Sequence, residues 1–394
     1  MKELVLIIET LLLFSPVQVI ACSRRIVLSP TTELSEQINK ENVTYVIKHT
    51  FDLKGKALKI PDNCCLVFKS GKITNGTIDG SETNIIAKKN EILKNVILTG
   101  SWVNKRVYSE WLDFKEGESY DNADNFRNLM LLCTGREMTH LYMRRGTYYC
   151  SIVPESSNIN VPSNLYWHNS ATICQMPTSS QRYGFVLLQN SENVTIEGGA
   201  FIGDVKTHIG NEGEWGHGIK VAGAKNVVLK NITIREFWGD GIDLIDAMDE
   251  HRKPTINCEN IRIEAVKCIG NRRQGLSIES GINVEVLNSE FVYTGKNGRT
   301  PPGAGIDIEP WNDSSVKIMN IRISKCKMLN NWGFDLQIYA NYKMTRPNEF
   351  DNHIEVSNCE IGTSYVYKTN GVKFKRCRLS HKVEKKDSNN ITIY

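Results

Sequence analysis

Gly218-Ile219-Lys220-Val221, Gly241-Ile242-Asp243-Leu244, Gly275-Leu276-Ser277-Ile278, Gly305-Ile306-Asp307-Ile308 and Gly333-Phe334-Asp335-Leu336 repeat one phrase: glycine, apolar, variable, apolar. Successive glycines stand 23, 34, 30 and 28 residues apart, the range of a solenoid whose coils carry loops of unequal length. Between the copies runs a second phrase, Asn226-Val227-Val228-Leu229, Asn260-Ile261-Arg262-Ile263, Asn283-Val284-Glu285-Val286 and Asn320-Ile321-Arg322-Ile323. Asn and Gly tolerate left-handed backbone, so each is expected to mark a corner from which a short strand departs. Strands of this length bury a face only by stacking coil on coil. The predicted fold is therefore all-β, a single-stranded parallel β-helix, right-handed by the crossover preference.

Stacking decides which side chains meet. The apolar pair of each phrase points into the coil and the residue between them points out, so equivalent outward residues form columns. One column reads Lys220, Asp243, Ser277, Asp307, Asp335; two residues further on, a second reads Ala222, Ile245, Glu279, Glu309, Gln337. One residue before each glycine come His217, Asp240, Gln274, Ala304 and Trp332. Parallel neighbours lie about 4.8 Å apart, which predicts an exposed acidic strip of Asp243, Glu279, Asp307, Glu309 and Asp335, with Asp240 beside it. Carboxylates at that spacing repel, and the repulsion raises at least one pKa, as a general acid requires.

Insertions flank the same strand at Asp246 to Asn257, Thr294 to Pro302, Pro310 to Ser315 and Ala340 to Asn352, and are expected to wall a groove over the strip. Trp238, Trp311 and Trp332 offer faces that stack on sugar rings, and Arg272 and Arg273 offer forks that bind carboxylates. His217, Lys220 and Asp335 complete the candidate substrate contacts.

Upstream, residues 1 to 22 read as a secretion signal: Lys2, an apolar stretch from Leu4 to Phe14, then Val19-Ile20-Ala21-Cys22. This ending resembles the lipobox of bacterial lipoproteins, which implies lipidation at Cys22 and a cell-envelope location, with the membrane reached through the lipid alone. Residues 23–105 are strand-rich and Gly-punctuated, either a small β-rich cap over the open end of the solenoid or its first coils. Residues 106–394 carry the β-helix, with one helix expected from Phe126 to Leu132, capped by Asp124.

With 48 Lys and Arg against 44 Asp and Glu, the net charge is +4, too small for a field that favours nucleic acid or an anionic membrane. A monomer is expected. Of the 11 cysteines, Cys326, Cys359 and Cys377 each fall three residues after a core apolar position, the pattern of buried thiols rather than of disulfides or a metal site.

The series Trp111-Leu112-Asp113-Phe114, Asp121-Asn122-Ala123-Asp124-Asn125-Phe126 and Leu141-Tyr142-Met143-Arg144-Arg145-Gly146-Thr147-Tyr148 resembles the opening of pectate-lyase-superfamily proteins, and the resemblance continues through the repeats. Gly239-Asp240-Gly241-Ile242-Asp243 is similar to the Asp-Gly-Ile-Asp segment of polygalacturonase-like glycoside hydrolases, and Gly216-His217-Gly218-Ile219 to their Gly-His-Gly. In that family the aspartate motif precedes the histidine motif, whereas here His217 comes first. The resemblance implies a polysaccharide substrate. It leaves three activities open: glycoside hydrolysis by an acid and base drawn from Asp243, Asp307, Glu309, Glu279 and Asp240; lyase chemistry with Ca²⁺ and a Lys220 or Arg273 base; and glycan binding without turnover of the tailspike or adhesin kind. The hydrolase needs no cofactor or metal.

Overall fold

The computed structural model describes residues 24–153, 158–251, 253–310, 317–341 and 350–394. Cys22 and Trp311 lie outside them, as do parts of the third and fourth insertions. Seven strands between Arg24–Val27 and Leu93–Trp102 form one sheet around the long strand Lys72–Ile86. From Arg106–Tyr108 onward the chain winds through three parallel sheets of 9, 9 and 11 strands, each complete coil contributing one strand to each sheet and the first and last strands adding to the largest alone. The molecule is an all-β, right-handed parallel β-helix. Among the described residues no helix is long and apolar enough to cross a membrane.

Two side-chain columns explain why the coils stack in this register. Asn164, Asn193, Asn226, Asn260, Asn283 and Asn320 all adopt positive φ, between 54° and 59°. From Asn193 onward each amide donates to the carboxamide oxygen of the asparagine one coil earlier, at 2.7–3.1 Å, and Asn164 starts the ladder by donating to Arg136 C=O at 3.0 Å. The corner conformation and the ladder thus demand the same residue. The glycines answer to a different constraint from the expected left-handed turn. A Cβ on Gly218, Gly241, Gly275 or Gly305 would lie 2.5–2.7 Å from the carbonyl oxygen of the next coil, so it is close approach of backbones that excludes a side chain there. On the outer face of the 11-stranded sheet, charges alternate up the column: Glu285 takes Arg262 at 2.7 Å and Arg322 at 3.4 Å.

One continuous core runs from Leu28 to Val383. The helix spans Ala123–Leu131, with Asn122 at its N-cap and Asp124 inside the first turn, ion-paired with Arg127. Asp121 rather than Asp124 meets the free backbone, its Oδ1 accepting from Ala123 N–H at 2.9 Å. Cys133, Cys150, Cys174, Cys258, Cys268, Cys326, Cys359 and Cys377 are free thiols, and all of them but Cys377 are buried.

Candidate active site

The 9-stranded sheet that contains Trp215–Ala222, Ile242–Ile245, Leu276–Ile278, Ile306–Ile308 and Leu336–Ile338 carries the expected column. Lys220 lies opposite Asp243, Asp243 opposite Ser277, and Ser277 opposite Asp307. The final coil departs from expectation, because Asp307 faces Gln337 and Asp335 sits in line with Gly305. Asp335 is instead a corner acceptor, taking hydrogen bonds from Asn331 at 2.8 Å and Thr363 N–H at 2.8 Å. The slip also moves Trp332 out of the column that holds His217 and Asp240. It lies at a corner, 43% exposed, with the Arg299 guanidinium 5.5 Å from its ring.

The strip is not exposed. Asp240 and Asp307 are fully buried, and Asp243, His217 and Glu279 are 2%, 3% and 7% exposed. Only Glu309 among these acids keeps intermediate exposure. Burial is possible because cations rise from the same face and neutralise the carboxylates. Arg273 donates to Asp240 Oδ2 at 2.8 Å, His217 Nδ1 lies 3.2 Å from that oxygen, and Lys220 Nζ lies 3.5 Å from Asp243 Oδ2. Asp240 N–H also points at His217 Nδ1, at 3.2 Å. When Nδ1 accepts that bond, the ring proton resides on Nε2, 3.7 Å from Asp243 Oδ2. That separation is too long for a direct hydrogen bond.

The acids differ in what surrounds them. Burial pushes the Asp240 carboxyl upward, but Arg273 and His217 outweigh it and hold the group below its ordinary pKa. For Glu279 the balance is reversed: burial, then the charge of Asp243, drive its pKa well above the usual range, and the opposing charges of Arg273 and Lys220 do not offset them. Asp307 is also raised well above that range, by burial and then by Glu309. Two neutral amides donate to Asp307, Gln274 at 3.0 Å and Gln337 at 3.1 Å. Burial opposes the charge on Arg273, but Asp240, Glu279 and Asp243 overcome it, so the guanidinium stays charged. Five buried atoms left without a hydrogen-bond partner lie in this group, Asp240 Oδ1, Asp243 Oδ1, Glu279 Oε2, Gln274 Oε1 and Arg273 Nε, and others are spread along the solenoid, at Trp167, Gln175 and Thr300 for example. Proteins pair the great majority of such atoms, so those in the cluster have hydrogen-bonding capacity to spare.

Trp238 and Arg272 take a different role from the expected sugar and carboxylate contacts. The His208 ring stacks 3.6 Å from Trp238 and the Arg272 guanidinium lies 3.9 Å from it, distances at which two groups cannot share one face. Arg272 spends its donors on the carbonyls of Gly213 and Asn211, and Trp238 Nε1 donates to Glu212. Together they clamp the segment that leads into His217. Gln274 and Gln337, which hold Asp307, were not legible as site residues, since a glutamine in a column has no chemistry of its own until its neighbour is known. Among the described residues, no group of three or more His, Cys, Asp or Glu side chains is arranged to hold a metal ion. A surface hollow over Asn260, Arg262, Glu285 and Arg322 lies on another sheet, where the charged side chains pair with one another.

Residues 149–318 match the family model described as the right handed beta helix region. The Bacillus subtilis protein YclG is 29% identical over 227 residues, covering 55% of this chain; the chain spans 38% of that relative's length. Among solved structures, the family 28 exopolygalacturonase of Yersinia enterocolitica is similar at 10% identity and a TM-score of 0.33, covering 93% of this chain and 78% of its own. An alginate lyase from Paenibacillus sp. FPU-7 is similar at 13% identity and a TM-score of 0.29, covering 94% of this chain and 98% of its own.

Proposed function

We propose that this right-handed parallel β-helix protein is a glycoside hydrolase acting on a polysaccharide, with Asp243 as the base and Glu279 or Asp307 as the acid. The observation that carries this reading is the division of labour among three neighbouring carboxyls. Burial and like charge push Glu279 and Asp307 toward their protonated forms, whereas Asp243 has Lys220 at 3.5 Å. Hydrolysis requires one carboxylic acid to protonate the leaving oxygen and one carboxylate to activate water or attack. Asp243 and Asp307 stand two coil steps apart, about 9 to 10 Å between Cα atoms, near the upper end of the carboxyl separations of inverting enzymes. Asp240 stays ionised against Arg273 and His217, and so orients the histidine and guanidinium rather than exchanging a proton.

A lyase acting on a uronate chain is the competing reading, favoured by Lys220, whose side chain is 31% exposed and faces Asp243. Arg273 is unsuited to be its base, because its neighbours hold it charged. A glycan panel with products read by mass spectrometry separates the two. Hydrolysis adds the mass of water, and elimination leaves an ultraviolet-absorbing double bond. We expect turnover to survive chelator. Complete loss restored by Ca²⁺ would put the lyase first. We also place the protein in the envelope through Cys22. Fatty-acid labelling that persists in Cys22→Ser would remove that assignment.

A further inference from the structure

The outward column that bears Asp243 and Asp307 continues past Gln337 to Tyr365, its partner on the next coil, and Tyr367 lies opposite Lys386 one coil further on. Tyr365 and Tyr367 lie in near-parallel planes, 7° apart, with ring centroids separated by 6.1 Å. Phe334 stacks on Tyr365 at 5.1 Å, and Tyr339 sets its ring at 84° and 82° to the two tyrosines, 5.7 and 5.4 Å away. All four rings are half-buried. Lys368 and Lys386 bring their ammonium groups to 5.4 and 5.7 Å from the Tyr367 ring.

We propose that this tyrosine plate is a binding subsite for an acidic polysaccharide, a uronate-bearing chain that runs along the solenoid axis from the carboxyl cluster toward the C-terminal coils. The direction of the chain rests on the hydrolase reading; the subsite itself rests on the plate. Half-buried phenol rings offer an aromatic surface on which the apolar face of a sugar packs, and a phenol hydroxyl can hydrogen-bond to its rim. The two lysines place positive charge at the Tyr367 end of the plate, which fits a uronate carboxylate and which a neutral glycan does not need, while Glu384 stands opposite Tyr365. Register ties plate to cluster: Tyr365 is two coil steps from Asp307, roughly 10 Å along the axis.

Calorimetric titration of the full chain carrying Asp243→Asn, which removes the base that the hydrolase reading requires, tests this. The probes are hexasaccharides of galacturonate, of mannuronate and of hyaluronan, with maltohexaose and cellohexaose as neutral controls. We expect at least one acidic probe to bind more tightly than both neutral ones at low salt. Tyr365→Ala and Tyr367→Ala should each weaken it on the order of tenfold, and Tyr365→Phe and Tyr367→Phe should retain it. Lys368→Gln with Lys386→Gln should erase the acidic preference. No binding of any acidic probe, equal binding of neutral ones, or unchanged affinity in the alanine variants overturns the subsite. Binding without turnover by the wild-type protein would leave the subsite standing and remove the hydrolase.

Discussion

Glu279 has the most to reveal among single residues, because its proton links stability to chemistry. In the unfolded chain its carboxyl has an ordinary pKa near 4.5, and burial beside Asp243 raises it in the native state. The native protein therefore binds a proton that the unfolded chain has released. The stability this confers is full below about pH 4.5 and is lost as pH rises through the raised native value. Glu279→Gln is neutral at every pH, so its melting temperature should match wild type near pH 4 and exceed it by a growing margin toward pH 8. A constant offset across that range would show that Glu279 is ionised in the native state. Turnover should fall by a factor on the order of 10² to 10⁴ in Asp243→Asn and in whichever of Glu279→Gln and Asp307→Asn removes the acid. Ser277→Ala, between the two aspartates but without a carboxyl, should cost far less. Wild-type turnover in all three acid variants would eliminate the cluster as the catalytic site.

At the level of the coil, the asparagine column makes a sharp prediction. Asn260 has φ of 56°, donates to Asn226 and accepts from Asn283, both at 3.0 Å. Asn260→Ala forfeits the two hydrogen bonds and forces a Cβ-bearing residue without local compensation into the left-handed region, a cost of about 1–3 kcal/mol. Asn260→Gly keeps the conformation and should cost less; chemical denaturation orders the two, and equal losses would refute the conformational argument. These corners were legible from sequence because Asn marks them. So was the chain of partners Lys220, Asp243, Ser277, Asp307, because glycine precedes each strand at a constant distance. The reading failed at the next coil, where Gly333 pairs with Gly303 rather than Gly305. A slip of two residues leaves every side chain on its proper face, so alternation could not expose the error. It displaced Asp335 and Trp332, and with the phase lost, Tyr365 and Tyr367 passed unnoticed. Burial of the strip was also illegible: it depends on Arg273, from a turn, and His217, from a strand, reaching Asp240 from the coils on either side, a matter of three-dimensional charge balance that no column reports.

For the molecule as a whole, the question is what the first sheet does for the solenoid. Parallel coils bury their core against one another, and the first coil has no predecessor. Here buried side-chain amides stitch that end to the preceding sheet. Asn128, on the helix, donates to Val96 C=O at 2.7 Å and accepts from Leu98 N–H at 2.9 Å. Asn104 bridges Ile85 N–H at 2.7 Å and Leu132 C=O at 2.9 Å, and Trp111 Nε1 donates to Lys88 C=O at 2.9 Å. Apolar packing is continuous across the same boundary, since Leu98, Trp102, Phe126 and Leu129 belong to one core with the coils. Removing residues 24–100 would therefore expose apolar surface and strand edge together, the combination that drives edge-to-edge aggregation. The truncated chain should elute as aggregate in size-exclusion chromatography or fail to accumulate in soluble form. Asn128→Ala, in the full-length chain, tests the stitch more gently. It strands a buried N–H and a buried C=O, which should cost about 2–4 kcal/mol, and hydrogen exchange should quicken at Leu98 and along Ala123–Leu131 before it does at the central coils. A truncated protein that stays monodisperse with an unchanged melting temperature would show that the solenoid closes its own end and that the first sheet serves another purpose.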